Sequence, residues 1–388
     1  MSSFNGHQLT KLHRGKSRAL TRQGITKEMD YFVLKIIERS APHRSWFGSS
    51  VALGFCIISL SFSGTGRAQD EGEPPTAPRG KKVEHAVNFV PAVADPTLGD
   101  WEGSGGCVAQ VLLLGGGKYQ ADLLAAFGTE GAPIAVLQGL SSGDTITFSG
   151  EGWSGVLKQG TFSGSKGDKS FNLRRVTRTS STMGAPPPPG AVVLFDGSNL
   201  DAWAKKKGKD WLTEDGPARW KLVEGGAVEV VPGGDCIITH RKFGDCKVHV
   251  EFRTLGTPSN SGVFLQDRYE LNINETYGRF DQSPNAGFDN CTENAKPRLR
   301  PCRAPLKWQT FDIDFRAPRF DAESKKTANA RATVLFNGVK IYDQQELDLP
   351  HGAARRLGEA PTGPLMLQEH GMPVQFRNIW LVESEMVK

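Results

Sequence analysis

An all-β fold is what this sequence predicts, and three observations predict it. Glycine is abundant, at 45 of 388 residues, while apolar residues at helical spacing are scarce. Short β-branched and aromatic runs alternate apolar with polar at period two, bounded by Gly, Pro, Asn and Asp. Asn337-Gly338 joins two such runs, Thr333–Phe336 and Val339–Tyr342, as a two-residue hairpin turn does. The length leaves room for two domains with extra segments.

Residues 1–68 read as an N-terminal extension and signal peptide. Val51–Phe62 is a twelve-residue apolar run, too short to span a bilayer as a helix. Arg44 precedes it, and Gly66-Arg67-Ala68 follows as a small-residue cleavage site. Translation from Met29 would give a more ordinary leader. Leu53-Gly54-Phe55-Cys56 is a poor lipidation box, because bulky Phe55 precedes a cysteine inside the apolar run. The chain is therefore expected to be exported, to a periplasm or to the outside, and not inserted in the membrane after cleavage.

The net charge of +5 belongs to the leader. Residues 1–68 hold ten Lys/Arg against three Asp/Glu, so the remaining chain carries −2. That removes the main electrostatic argument for a nucleic-acid partner. The five cysteines after residue 68 are Cys107, Cys236, Cys246, Cys291 and Cys302, none in a CxxC spacing, which argues against structural zinc. Export permits disulfides. Cys291 and Cys302 flank a Pro/Arg-rich loop expected to lack a core, so a bridge there is expected; Cys236 and Cys246 can pair across successive strands.

Residues 69–82 form a linker of Pro, Gly and charge. Residues 83–179 read as a small β-rich accessory domain, a six-strand meander or small open barrel. Its strands are expected at 107–114, 118–126, 134–139, 144–149, 155–162 and 170–176. Gly115–Gly117 is a turn and not a phosphate loop, since no Gly-Lys-Ser/Thr and no helix follow. Residues 180–190, with four consecutive prolines, are expected to be a semi-rigid spacer. Residues 191–388 form the second domain, with eight or more antiparallel strands expected to pair into a double-sheet jelly roll.

The second domain carries its chemistry on Asn260–Gly278. Two alternating runs, Gly262–Gln266 and Tyr269–Ile273, flank a polar turn at Asp267–Arg268. Glu270 and Asn272 share one strand face, opposite Tyr269, Leu271 and Ile273. A carboxylate and an amide there make either a solvated face or the floor of a sugar-sized site. The paired acidic strand motif of jelly-roll glucanases is missing, so direct two-carboxylate glycoside hydrolysis is not indicated.

In order along the second domain stand Leu194-Phe195-Asp196-Gly197 with Trp203, Asn260-Ser261-Gly262-Val263-Phe264, and Tyr269-Glu270 leading to Glu275-Thr276-Tyr277-Gly278. Trp308-Gln309-Thr310, Asn337-Gly338, Leu367-Gln368-Glu369-His370-Gly371 and Phe376-Arg377-Asn378-Ile379 follow. Through these residues the domain resembles the 3-keto-disaccharide hydrolase family, over about residues 191–386. Asn272 stands where that family usually has Gln, and Glu275 where it has Asp. Gly99-Asp100-Trp101-Glu102-Gly103 more loosely resembles accessory β modules of exported bacterial proteins.

The resemblance implies a concanavalin A-like jelly roll with 3-keto-glucoside lyase and 3-keto-2-hydroxy-glucal hydratase activity. A ketone at C3 acidifies the C2 hydrogen, so one base can form an enolate that expels the C1 substituent, and water then adds back. The net result is glycoside hydrolysis. The resemblance implies Glu270 and His370 as acid or base, and Arg377 as the group holding the enolate oxygen. Asn260, Ser261, Asn272, Glu275, Tyr277, Gln368 and Asn378 are the implied substrate-binding residues. Trp203 and Trp308 can stack on a sugar or fill the core. A divalent cation would assist an enolate, and Glu270, Glu275 and His370 are ligand types, but no spacing motif demands a metal. The implied partner is a 3-keto sugar or oligosaccharide. A separate sugar 3-dehydrogenase must supply it, since the chain has no dinucleotide-binding motif. The alternative is a non-catalytic, lectin-like jelly roll; a third reading is a scaffold whose first domain carries the function.

Overall fold

Ala135–Ser142, Thr145–Gly150, Trp153–Lys158, Thr161–Lys166 and Lys169–Arg175 are consecutive antiparallel strands in a computed structural model of the chain. Every second side chain of Lys169–Arg175 that is buried, Phe171 and Leu173, points into one core with Trp101, Phe148 and Phe162. Gly99–Glu102, Val108–Gly115 and Lys118–Leu124 precede them, and Trp101 pairs with Arg175 to close an eight-stranded barrel. The structure describes residues 89–384 except 129–130, 209–211, 281–284, 289–290, 292–296, 298 and 353. The expected leader, its cleavage site and the 69–82 linker lie outside the described residues.

The barrel corrects the expectation of six strands. The run expected as one strand at 155–162 breaks at Gln159-Gly160, both at positive φ (48° and 73°). Gln is a weak cue for that left-handed turn, where Asn or Asp with Gly would have announced it. Gly99–Glu102 adds the strand that closes the wall.

The second domain consists of two sheets over one shared core. The eight-stranded sheet runs Lys221–Val223, Ala227–Glu229, Val374–Glu383, Cys246–Thr254, Gln309–Arg316, Ala330–Phe336 and Val339–Leu347, with Val192–Phe195 also on Val374–Glu383. The six-stranded sheet runs Glu214–Pro217, Trp203–Lys206, Ile237–Phe243, Gly363–Leu367, Asn260–Leu265 and Tyr269–Asn274. Phe252, Phe311 and Phe336 from the first meet Val263, Tyr269, Leu271 and Ile273 from the second in one apolar cluster. Asn337-Gly338 turns as expected, with φ of 52° and 81° and Phe336 opposite Val339. Trp203 is core, 1% exposed, its indole donating to the Leu194 carbonyl.

The Pro-rich segment is not a free spacer at its start. Thr182 Oγ1 meets Asp312 Oδ2 at 2.6 Å, the Gly184 N–H donates to Glu251 Oε1 at 2.6 Å, and Asn378 Nδ2 donates to the Ala185 carbonyl at 2.9 Å. This strap lies across the outer face of the eight-stranded sheet. Barrel and sandwich also touch: Tyr277 Oη donates to Asp100 Oδ1 at 2.7 Å, and Gln120 Nε2 to the Gly278 carbonyl at 3.2 Å.

The expected disulfides are not formed. Among the described residues no disulfide joins Cys107, Cys236, Cys246, Cys291 and Cys302. The premise for the Cys291–Cys302 bridge was a loop without a core, yet both side chains belong to the main apolar cluster, at 0% and 4% exposure. Burial pushes the Cys302 thiol up to about 12 and so disfavours the reactive thiolate.

Candidate functional site

The outward face of the six-stranded sheet is where alternation puts the domain's unusual polar groups. Its register sets Ala204, Ile238, Met366, Phe264 and Glu270 in one row across five strands. The four apolar members form a second small cluster, so this face is covered and not washed by solvent. Glu270 ends the row, 5% exposed, and its Oε2 lies 3.1 Å from Nε2 of His351. The His351 ring stands edge-on to Phe264, centroids 5.5 Å apart. Its backbone is fixed by its N–H donating to the Arg268 carbonyl at 2.7 Å and by the Ala354 N–H on its own carbonyl.

Gly262 is a requirement of this geometry. A Cβ there would come within 2.8 Å of Glu270 Oε1, so a larger residue would push the carboxylate from its present position. Beside Gly262, Gln368 accepts Ser261 Oγ–H on its backbone carbonyl at 2.7 Å. The Gln368 side-chain oxygen is buried with no hydrogen-bond partner among the described residues. On the same face the Lys206 ammonium lies 3.4 Å from Asp267 Oδ1, both nearly sealed from solvent. Burial lowers the Lys206 pKa despite Asp267, and pushes Asp267 up to about 6 despite Lys206 and the Leu212 N–H. A carboxylate–imidazole pair, a buried ammonium and a vacant acceptor suit proton transfer next to a polar, uncharged ligand.

The structure brings together only part of the expected site. Glu270, Asn272, Gln368, Ser261 and Asn260 belong to this sheet, and Asn260 opens its strand opposite Asn274. Asn272 spends its side-chain oxygen on the Gly287 N–H at 3.0 Å, holding a loop. His370 is exposed two residues past Gln368; the imidazole on Glu270 is His351 instead. Arg377 and Asn378 lie on the other sheet, both bonded to Glu251 beneath the strap, at 2.7 and 2.9 Å. Trp308 has the Arg377 and Arg253 guanidinium groups over its ring at 4.1 and 4.6 Å. Among the described residues no three His, Cys, Asp or Glu side chains gather as a metal set.

Glu275 and Tyr277 face the barrel. Glu275 accepts from Thr254 Oγ1 and from the Tyr277 N–H, and burial drives its carboxyl up to about 7. A folded pKa above the unfolded 4.5 means stability is complete below about pH 4.5 and is lost as pH rises through about 7. Glu275→Gln removes that loss. The variant should match the wild type in urea titrations near pH 4.5 and exceed it by on the order of 3 kcal/mol at pH 8.5. Equal stability at both pH values would mean Glu275 is not desolvated as described.

His351 was not legible as a site residue, for Pro350-His351-Gly352 has no strand periodicity around it. Lys206 lies in a run of three lysines and Asp267 in a polar turn beside Arg268, contexts that suggest solvated charge. The available cue was the alternation that places Lys206 on the face of Ala204.

Residues 190–382 match the family model described as a 3-keto-alpha-glucoside-1,2-lyase-like domain. A candidate glycosyl hydrolase from Parabacteroides distasonis ATCC 8503 is 27% identical, with TM-score 0.46, over 54% of this chain and 92% of its own. A second such protein from that organism is 16% identical, with TM-score 0.34, over 50% and 94%. The GH43 protein BlXynB from Bacillus licheniformis is 8% identical, with TM-score 0.26, over 71% and 64%. These structural likenesses are too low to bear on function. No curated protein matches the chain.

Proposed function

Residues 190–382 belong to the 3-keto-alpha-glucoside-1,2-lyase-like family, and on that premise we propose that the chain cleaves 3-keto-glycosides by elimination and rehydration. The observation that carries the reading is the Glu270–His351 pair, 3.1 Å apart, on the covered face of the six-stranded sheet. The pair takes the C2 proton. The C2–H electrons become an enolate, the C1–O bond breaks, and the departing oxygen receives a proton from the same pair. Water then adds across C1 and C2, with hydroxyl to C1 and hydrogen to C2. Lys206 is the cation this face offers to an enolate oxygen, and the Gln368 carbonyl oxygen accepts a sugar hydroxyl. A buried site strengthens each of these interactions relative to water.

The proposal includes export, a concanavalin A-like jelly-roll assignment for the two sheets, and an external oxidation that supplies the C3 ketone. Incubation with matched 3-keto and ordinary glycosides tests it. Only the 3-keto substrates should turn over, and the C2-deuterated substrate should exchange with solvent or slow the reaction. Equal turnover of both would sink the eliminative route. Binding without turnover of either would leave a lectin.

A further inference from the structure

A concavity lies between barrel and sandwich, lined by residues of both. It encloses about 220 Å³, and Arg175, Arg178, Arg303, Lys307 and Arg377 line it against a single carboxylate, Asp100. Two of these cations are already matched: Arg178 with Asp100 and Glu102 at 3.0 and 2.9 Å, and Arg377 with Glu251 at 2.7 Å. Arg175 makes one bond, to the Leu98 carbonyl, and Arg303 reaches only the Trp308 carbonyl, at 3.5 Å. Among the described residues neither they nor Lys307 has a carboxylate within ion-pair distance. Arg303 Nε is buried with no hydrogen-bond partner among the described residues.

A partly buried guanidinium whose one acceptor among the described residues lies 3.5 Å away is short of hydrogen bonds, which an oxyanion meeting its cleft-facing nitrogens would supply. The fork geometry of a guanidinium matches the paired oxygens of a carboxylate or phosphate. The cavity is smaller than the roughly 300–1,000 Å³ of drug-sized sites, so it suits one compact ligand or the end of a chain. We infer that this cleft is an oxyanion site, centred on Arg303 with Arg175 and Lys307, that takes a compact anion. The source is either the carboxylate of an acidic sugar or free inorganic phosphate.

The site draws on both barrel and sandwich, so an anion held there fastens one to the other. It shares no residue with the Glu270 face, and its test needs no turnover. Isothermal titration of the full chain with glucuronate, inorganic phosphate and glucose at low salt reads it directly. Glucuronate should bind and neutral glucose should not, with affinity about tenfold weaker in Arg303→Gln. Lys307→Gln, at an exposed position that burdens folding little, should weaken it several-fold and steepen no salt dependence. Phosphate binding through the same residues, with glucuronate inert, would assign the site to the inorganic ion. Binding of neither anion, or binding indifferent to both substitutions, would overturn the inference.

Discussion

Glu270→Gln should lower the chemical step on a 3-keto-glycoside by about 10²–10⁴-fold with KM little changed. Gln keeps the shape that Gly262 accommodates but cannot take a proton, so the loss should fall on kcat. His351→Gln should lose activity in the same range, and the double variant little more than either single, since two groups sharing one proton act as a unit. His370→Ala is the contrast, because that imidazole is exposed beyond Gln368. If His370→Ala lost as much as Glu270→Gln while His351→Gln kept full turnover, the reactive imidazole would belong to the loop and the pair would be structural.

The largest stability effect is expected at Glu251, beneath the strap. Its side chain is 0% exposed and meets Arg377, Asn378 and the Gly184 N–H at 2.7, 2.9 and 2.6 Å, with His249 at 3.5 Å. Burial works to raise this carboxyl, yet hydrogen bonds from His249, Asn378, Gly184 and Arg377 prevail and hold it at about 2. Its contribution is therefore present above about pH 4.5 and fades only as pH falls through about 2. Glu251→Ala strands the His249 and Arg377 charges and should cost about 3–5 kcal/mol in denaturant unfolding near pH 6. Amide exchange over residues 180–185 should quicken as the strap lifts. A loss under 1 kcal/mol would show that the strap and sheet are held by packing alone.

How far the sequence could be read follows from which rule governed each residue. Period-two alternation located the hairpin of Asn260–Asn274, and it put Glu270 and Asn272 on the face opposite the core. The turn itself shifts by one, since Gln266 and Asp267 carry the positive φ values, 55° and 53°. Alternation says nothing about which of two sheets a strand joins. Arg377 therefore read as a partner of Glu270 until pairing with Cys246–Thr254 put it on the other sheet. A register shift at His249 and Glu251, with Asn378 at φ 44°, turns both Arg377 and Asn378 toward the strap. His351 depended on a loop path, and loop paths are fixed by tertiary contacts such as the Arg268 carbonyl.

The barrel's closure has a topological corollary. Because Gly99–Glu102 and Lys169–Arg175 are wall neighbours, with Glu102 opposite Arg174, the chain leaves the module beside the point where it entered. Closure leaves no unpaired edge for another strand to extend, so the module gives neighbouring chains no template. Adjacent ends let such a unit be inserted or excised almost as a bead on a thread, with little strain on what flanks it. The ancestry of barrel and sandwich can then differ. Shuffling would have to preserve the seam contacts, Tyr277 with Asp100 and Gln120 with Gly278, and the pairing of Val90–Pro91 with Gly256–Thr257.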